Sequence, residues 1–223
     1  MTRASETAKI LLETQSIQCS PDKPFTLTSG RCSPVYVDCR KLIGFVEERR
    51  KIMRMWKELL LEKFPDLPFD CVAGGETAGI PYGAFLAEAL DKPMAYIRKS
   101  PKGFGRNAGI EGNLSAGERI LLVEDLSTDG GSKLRFVESI RLAKATVSDC
   151  IVIFDYGIFS GKNDYLSKAG ITLHSLANWE DVLLYARENN SFTPEALEEL
   201  ERFLAAPDAW RPKGQMHLES FDQ

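Results

Sequence analysis

Only two histidines, His174 and His217, occur in 223 residues, and they lie far apart in the chain. That spacing argues against a histidine-based metal site. Cysteine is also sparse: Cys19, Cys32, Cys39, Cys71 and Cys150 are odd in number and form no CxxC pair. A disulfide framework is therefore not expected, and the thiols read as reduced and mostly structural in a cytoplasmic protein. Positive charge is not in excess. The net charge of −4 argues against broad nucleic-acid binding, which needs a basic face. No apolar run approaches the length of a membrane span, and the first residues lack the apolar core of a secretion signal. The expectation is a cytoplasmic protein with neither a nucleic-acid nor a membrane partner. Two nucleotide signatures are missing as well. No glycine-rich loop ends in Gly-Lys-Ser/Thr, and no G-x-G-x-x-G follows a strand. Their absence excludes a triphosphate P-loop and a dinucleotide fingerprint. There is no internal repeat and no low-complexity tract.

What is present is ordinary for a globular protein: 43% hydrophobic and 27% charged residues, in a chain that suits one domain with additions. Helical spacing of Ala8, Leu11 and Leu12 predicts a helix over 5–17, with Ser5 as its cap. Residues 25–38 read as two short strands around a Ser-Gly turn. A long amphipathic helix follows over 45–64, with Ile52, Met55, Trp56, Leu59 and Leu60 on its apolar face, and prolines 65 and 68 end it. From residue 70 strands and helices alternate. The predicted strands are 71–73, 94–97, 119–123, 146–154 and 171–176. The predicted helices are 80–90, 133–144, 159–169, 178–189 and 194–205, with a long irregular stretch over 98–115. Such alternation implies a central parallel sheet flanked by helices, with ligands at the carboxyl ends of its strands. The turns after residues 73, 97 and 123 would then share one edge. The expected division is an N-terminal helix and hairpin over 1–44, an α/β core over 45–190, and a C-terminal helix and tail over 191–223. Few apolar anchors occur after residue 206, so the tail is expected to be extended or poorly ordered.

Three stretches carry chemistry. In residues 120–132 an apolar strand runs into Glu124 and Asp125, then into Leu126, Ser127, Thr128, Asp129, Gly130, Gly131 and Ser132, and then into a helix. Unpaired N–H groups at a helix start make an anion site, and glycine lets the backbone close around a phosphate. Two acids beside such a cradle would repel the phosphate itself. They suit sugar hydroxyls or a metal-bound sugar phosphate, so the loop points to a phosphorylated ribose. The stretch 98–109 holds Arg98, Lys99, Lys102 and Arg106 and no acid until Glu111. On its own it is a solvated surface loop. Beside the phosphate site it becomes a cationic lid that would stabilise charge on a leaving group. In residues 25–41, Arg31 and Lys41 can reach anions and Tyr36 can stack, although an accessory hairpin explains the pattern equally well. The small-residue loop over 74–79 is either a backbone approach to a pyrophosphate or a plain connection.

Together these stretches resemble the orotate phosphoribosyltransferases of the type I phosphoribosyltransferase family. Residues 123–132 are similar to that family's loop for phosphoribosyl pyrophosphate (PRPP). Residues 98–105 with 110–112 are similar to its flexible catalytic loop, and residues 25–38 are similar to the N-terminal hood that selects orotate. The likeness covers about residues 7–186. It implies a type I phosphoribosyltransferase-like fold with a small N-terminal hood. It implies transfer of ribose 5-phosphate from PRPP to orotate, with Mg2+ carried in by PRPP rather than held by protein side chains. Glu124 and Asp125 would hold the ribose hydroxyls, and residues 127–132 would wrap the 5′-phosphate. Thr128 would also touch orotate, with Tyr36 and Arg31 as hood contacts. Arg98, Lys99, Lys102 and Arg106 would meet the pyrophosphate. Lys102, Arg98 and Asp125 would form the catalytic set. The family's loop reaches into the neighbouring subunit's site, which implies a homodimer with the 98–112 loop acting across the interface. Three positions depart from the pattern: Phe104 stands where many members carry histidine, Thr28 where many carry lysine, and Tyr156 near where an orotate-binding arginine is usual. Two other readings remain at this point: a phosphoribosyltransferase for another base, and a PRPP-sensing regulator without catalysis.

Overall fold

The computed structural model describes residues 1–27, 30–100, 109–128, 131–158 and 162–213. Helix α1 (Arg3–Glu13) opens the chain. Thr2, not Ser5, caps it, accepting a bond from the Ser5 N–H at 3.1 Å. It stops four residues short of the expected end because Ile17–Cys19 forms strand β1. The hairpin is β2 (Phe25–Thr26) against β3 (Cys32–Ser33). Strand β4 (Val35–Val37) leaves it and pairs antiparallel with β1, Ile17 opposite Val37. These two small sheets form the hood. A 3-10 helix (Cys39–Gly44) leads into α2 (Val46–Lys63).

The core follows as β5 (Cys71–Gly75), α3 (Gly79–Leu90), β6 (Met94–Ile97), β7 (Ile110–Gly112), β8 (Arg119–Val123), β9 (Leu126–Ser127) and α4 (Gly131–Leu142). It is completed by β10 (Thr146–Asp155), α5 (Lys162–Lys168), β11 (Thr172–Asn178), α6 (Trp179–Glu188) and α7 (Pro194–Ala205). The sheet order is β11-β10-β8-β5-β6-β7, with β9 beside the end of β10. Every pairing is parallel except β6 with β7. Among the described residues of the stretch read as irregular over 98–115, β7 is a strand. The chain moves from β5 outward to β6, then returns to the other side of β5 as β8. The strand order therefore reverses between β5 and β8, and the carboxyl ends of these strands frame a crevice.

Alternation along the strands divides the core between two faces. Val72, Leu121, Val123, Ile151 and Ile153 pack with α1, α2 and the hood. Cys71, Ala73, Leu122, Cys150 and Val152 pack under α4 with Phe136 and Ile140. The expected apolar face of α2 is buried as predicted, and Trp56 also donates its indole N–H to the Val152 carbonyl at 3.1 Å. Tyr82 of α3 donates to the Cys39 carbonyl at 2.6 Å and so ties the hood's exit to the core. The tail departs from expectation as far as residue 213. Trp210 is buried edge-on to Phe203, and its N–H meets Glu199 Oε2 at 3.3 Å. One aromatic residue suffices to anchor this strap, where the sequence offered few apolar anchors. Residues 214–223 lie outside the described residues.

Candidate active site

A cleft of about 610 Å³ opens where the carboxyl ends of β5 and β8 diverge beneath the hood. The hood contributes Leu27, Arg31, Tyr36, Val37 and Arg40. The turn after β5 contributes Glu76, Thr77 and Ala78, and the end of β6 contributes Lys99. The turn after β8 supplies Glu124, Asp125, Leu126 and Thr128. Gly131, Lys133 and Arg135 come from α4, and Tyr156 comes from the end of β10.

Glu124 and Asp125 form the cleft's floor, only 8% and 9% exposed. The burial of Glu124 has a sequence cause. A Cβ on Gly75 or Gly79 would fall on its Oε1, so these two bare positions make room for the carboxyl group. That Oε1 has no hydrogen-bond partner among the described residues. Burial pushes Glu124 up to about 8, with Asp125's charge adding to the rise and Lys133 and Lys99 opposing it. Burial also raises Asp125, against a backbone N–H from Leu126 and the charges of Lys133 and Arg40. Two half-silenced acids at the bottom of a cleft are suited to neutral donors such as hydroxyl groups. Along the side formed by α4 and the end of β6, Gly131, Lys99, Lys133 and Arg135 line the cleft, three of them cations. That side suits an anion. The cleft therefore offers hydroxyl acceptors on its floor and anion donors at its edge.

Of the residues singled out in the sequence, the cleft gathers Arg31, Tyr36, Lys99, Glu124, Asp125, Thr128 and Gly131. Arg98 is not in the lining; its guanidinium meets Glu111 Oε1 at 3.4 Å. Ser127 is fully buried on β9 and also outside the lining. Lys102, Arg106, Asp129 and Gly130 lie outside the described residues, as do Phe104 and Thr28. Ser132 belongs to the first turn of α4, and its side chain is likewise outside the description. Lys41 points elsewhere, donating to the Gln15 carbonyl at 2.9 Å, and its neighbour Arg40 takes the cleft position instead.

Arg40 is held by Asp38 at 2.6 Å and donates to the Tyr36 hydroxyl at 3.1 Å; Tyr36 in turn stacks on Phe25. Arg31 pairs with Asp208 of the C-terminal strap at 2.7 Å. Glu76 accepts the Lys99 N–H at 2.7 Å, which joins the turns after β5 and β6. Sequence reasoning missed Arg40, Lys133 and Arg135, and it named the 74–79 loop that brings Glu76 and Thr77 to the cleft only as one of two alternatives. The one available signal was Lys133, a cation directly after a small-residue loop that otherwise reads as a phosphate cradle. Among the described residues no cluster of three His, Cys, Asp or Glu side chains could hold a metal ion. The buried acid pair alone is too small a donor set for a resident divalent cation, so a metal here would need oxygen ligands from a bound molecule.

No family model matches the chain. It is 51% identical over 205 residues to orotate phosphoribosyltransferase of Dinoroseobacter shibae, covering 92% of this chain and 91% of that one. The fold is similar to orotate phosphoribosyltransferase from Aeropyrum pernix, with a TM-score of 0.66, 32% identity, and coverage of 80% of this chain and 97% of that one. It is also similar to UMP synthase of Leishmania donovani, with a TM-score of 0.76 and 26% identity. That match takes in 90% of this chain but only 42% of the longer Leishmania protein.

Proposed function

The chain belongs to the orotate phosphoribosyltransferase family, and from that membership we propose that it transfers ribose 5-phosphate from PRPP to orotate, giving orotidine 5′-monophosphate and pyrophosphate. The observation that carries the assignment of the site is the buried pair Glu124–Asp125, set at the switch point of the sheet beside the first turn of α4. The pair accepts from the ribose hydroxyls. The backbone of 127–132 and the start of α4 hold the 5′-phosphate, with the side chains of Thr128 and Ser132 as added donors; Ser127, buried on β9, serves through its backbone. The hood covers the base: Tyr36 lies along its face, Arg31 supplies a cation for its carboxylate, and Thr128 reaches it from below. Arg98, Lys99, Lys102 and Arg106 serve the pyrophosphate, Arg98 from across the dimer interface, since within one chain it lies outside the cleft's lining.

The reaction breaks the bond between the anomeric carbon and the pyrophosphate oxygen, and forms one between that carbon and a ring nitrogen of orotate. The sugar passes through an oxocarbenium-like state while negative charge grows on the departing pyrophosphate. Lys102, Arg98 and Lys99 take up that charge, and Asp125 holds the sugar in place beneath it. Mg2+, brought by PRPP, neutralises pyrophosphate oxygens when bound. The 98–112 loop acts across the interface of a homodimer in the cytoplasm. None of the described helices is long and apolar enough to cross a membrane.

Lys102→Ala tests the chemistry. It should lower turnover by about two orders of magnitude or more, the scale of losing one charge-stabilising donor, while PRPP still binds. Wild-type turnover in that variant would reject the mechanism. A panel of bases tests the acceptor separately, with orotate expected to be the one consumed.

A further inference from the structure

Lys133 is the third residue of α4 and is 2% exposed. A cation at this position faces two opposing effects. Burial removes its hydration, and the first turn of a helix carries the positive end of the backbone dipole. Its ammonium donates to the Leu126 carbonyl at 2.9 Å, and that is its one hydrogen bond among the described residues. An ammonium has three N–H donors, so two are left for something else. Glu124 Oε1, on the same cleft, is a buried acceptor with no partner among the described residues. Two buried polar groups, an ammonium and a carboxyl group, each more than nine-tenths covered, thus face one cavity with unfilled hydrogen-bonding capacity. Lys133 also draws Glu124 and Asp125 toward their ionised forms against their burial. A purely structural lysine would be expected to close an ion pair. No ion pair within 4 Å joins Lys133 to either acid among the described residues.

We propose that Lys133 is a substrate-binding residue of the phosphoribosyl site: its free N–H groups donate to oxygens of the sugar phosphate, while its bond to Leu126 fixes the turn that carries Asp125. The ligand class is a phosphorylated pentose, whose hydroxyls donate to Glu124 and whose phosphate oxygens accept from Lys133. The inference deepens the proposed function and rests on it. It adds a cation from α4 to the site, apart from the cations of the 98–106 stretch that serve the pyrophosphate.

The test uses the full chain, with ribose 5-phosphate and pyrophosphate as separate probes beside PRPP. Lys133→Met removes the charge and keeps the length; Lys133→Gln is the second variant. The melting curve of each variant checks its fold, since removing Lys133 gives up its bond to the Leu126 carbonyl together with a buried charge. Affinity for ribose 5-phosphate and PRPP should fall tenfold or more, with affinity for pyrophosphate and the KM for orotate unchanged. Lys133→Arg should recover part of the loss. Sugar-phosphate affinity within twofold of wild type in a folded Met or Gln variant overturns the role of Lys133 and leaves the proposed function standing. Failure of the wild-type protein to bind either ribose 5-phosphate or PRPP overturns both.

Discussion

Glu124→Gln should stabilise the empty protein, and increasingly so as pH rises. The folded state holds the Glu124 proton to about pH 8, whereas an exposed glutamate loses it near 4.5. Below 4.5 both states are protonated, and the group has no effect on folding. Between these values the unfolded chain has released its proton and the folded chain has not, so stability falls as pH rises. Above about 8 the penalty is constant. At 1.36 kcal/mol per pH unit, the displacement from 4.5 to about 8 amounts to a penalty of about 5 kcal/mol at pH 9 and about 2 kcal/mol at pH 6. Glutamine has no proton to lose and fits the same space between Gly75 and Gly79. Its advantage over glutamate should therefore widen by about 3 kcal/mol between pH 6 and pH 9. Urea unfolding of both proteins at the two pH values measures this directly, and other titrating groups cancel in the difference. An equal gap at both pH values, or a glutamate protein that is the more stable at pH 9, would refute the burial argument. Above about pH 8, where the glutamate is ionised, the same variant should bind PRPP more weakly, since an amide is a poorer acceptor for ribose hydroxyls than a carboxylate.

Two further predictions concern the edges of the site. Trp210→Ala removes a 2% exposed indole that packs on Phe203 and bonds Glu199. It should cost about 3 kcal/mol in a denaturant titration, at the low end for a buried aromatic because the strap can adjust, and a loss under about 0.5 kcal/mol would mean the strap is not docked. Arg31→Ala should raise the KM for orotate about tenfold, the value of one charge-assisted hydrogen bond, and leave the KM for PRPP unchanged. Its half-exposed pair with Asp208 should add little to stability, so an unchanged orotate KM with a lowered melting temperature would assign Arg31 to the strap instead of the base.

The parts of this molecule legible in the sequence are those with local causes. The run from Ile120 to Val123 ending in two acids places both strand and site, because a buried strand and a helix start leave marks within a dozen residues. Met94–Ile97 and Pro194–Ala205 were also legible to the residue, the second through its proline start. What escaped depends on distant partners. Ile17–Cys19 is a strand only because Val35–Val37 lies beside it, and Ile110–Gly112 only because β6 does. Lys133 and Arg40 were not singled out by their sequence context. Their place in the cleft follows from the turn of α4 and from Asp38, neither of which periodicity can show. Arg98 presents the reverse case: a residue expected beside the pyrophosphate meets Glu111 across the β6–β7 pair.

The central claim is tested most directly by incubating the protein with PRPP, Mg2+ and orotate and following all products by mass spectrometry. One orotidine 5′-monophosphate and one pyrophosphate should form for each orotate consumed. Orotate left intact while PRPP binds, or ribose 5-phosphate passed to a different base, would contradict it.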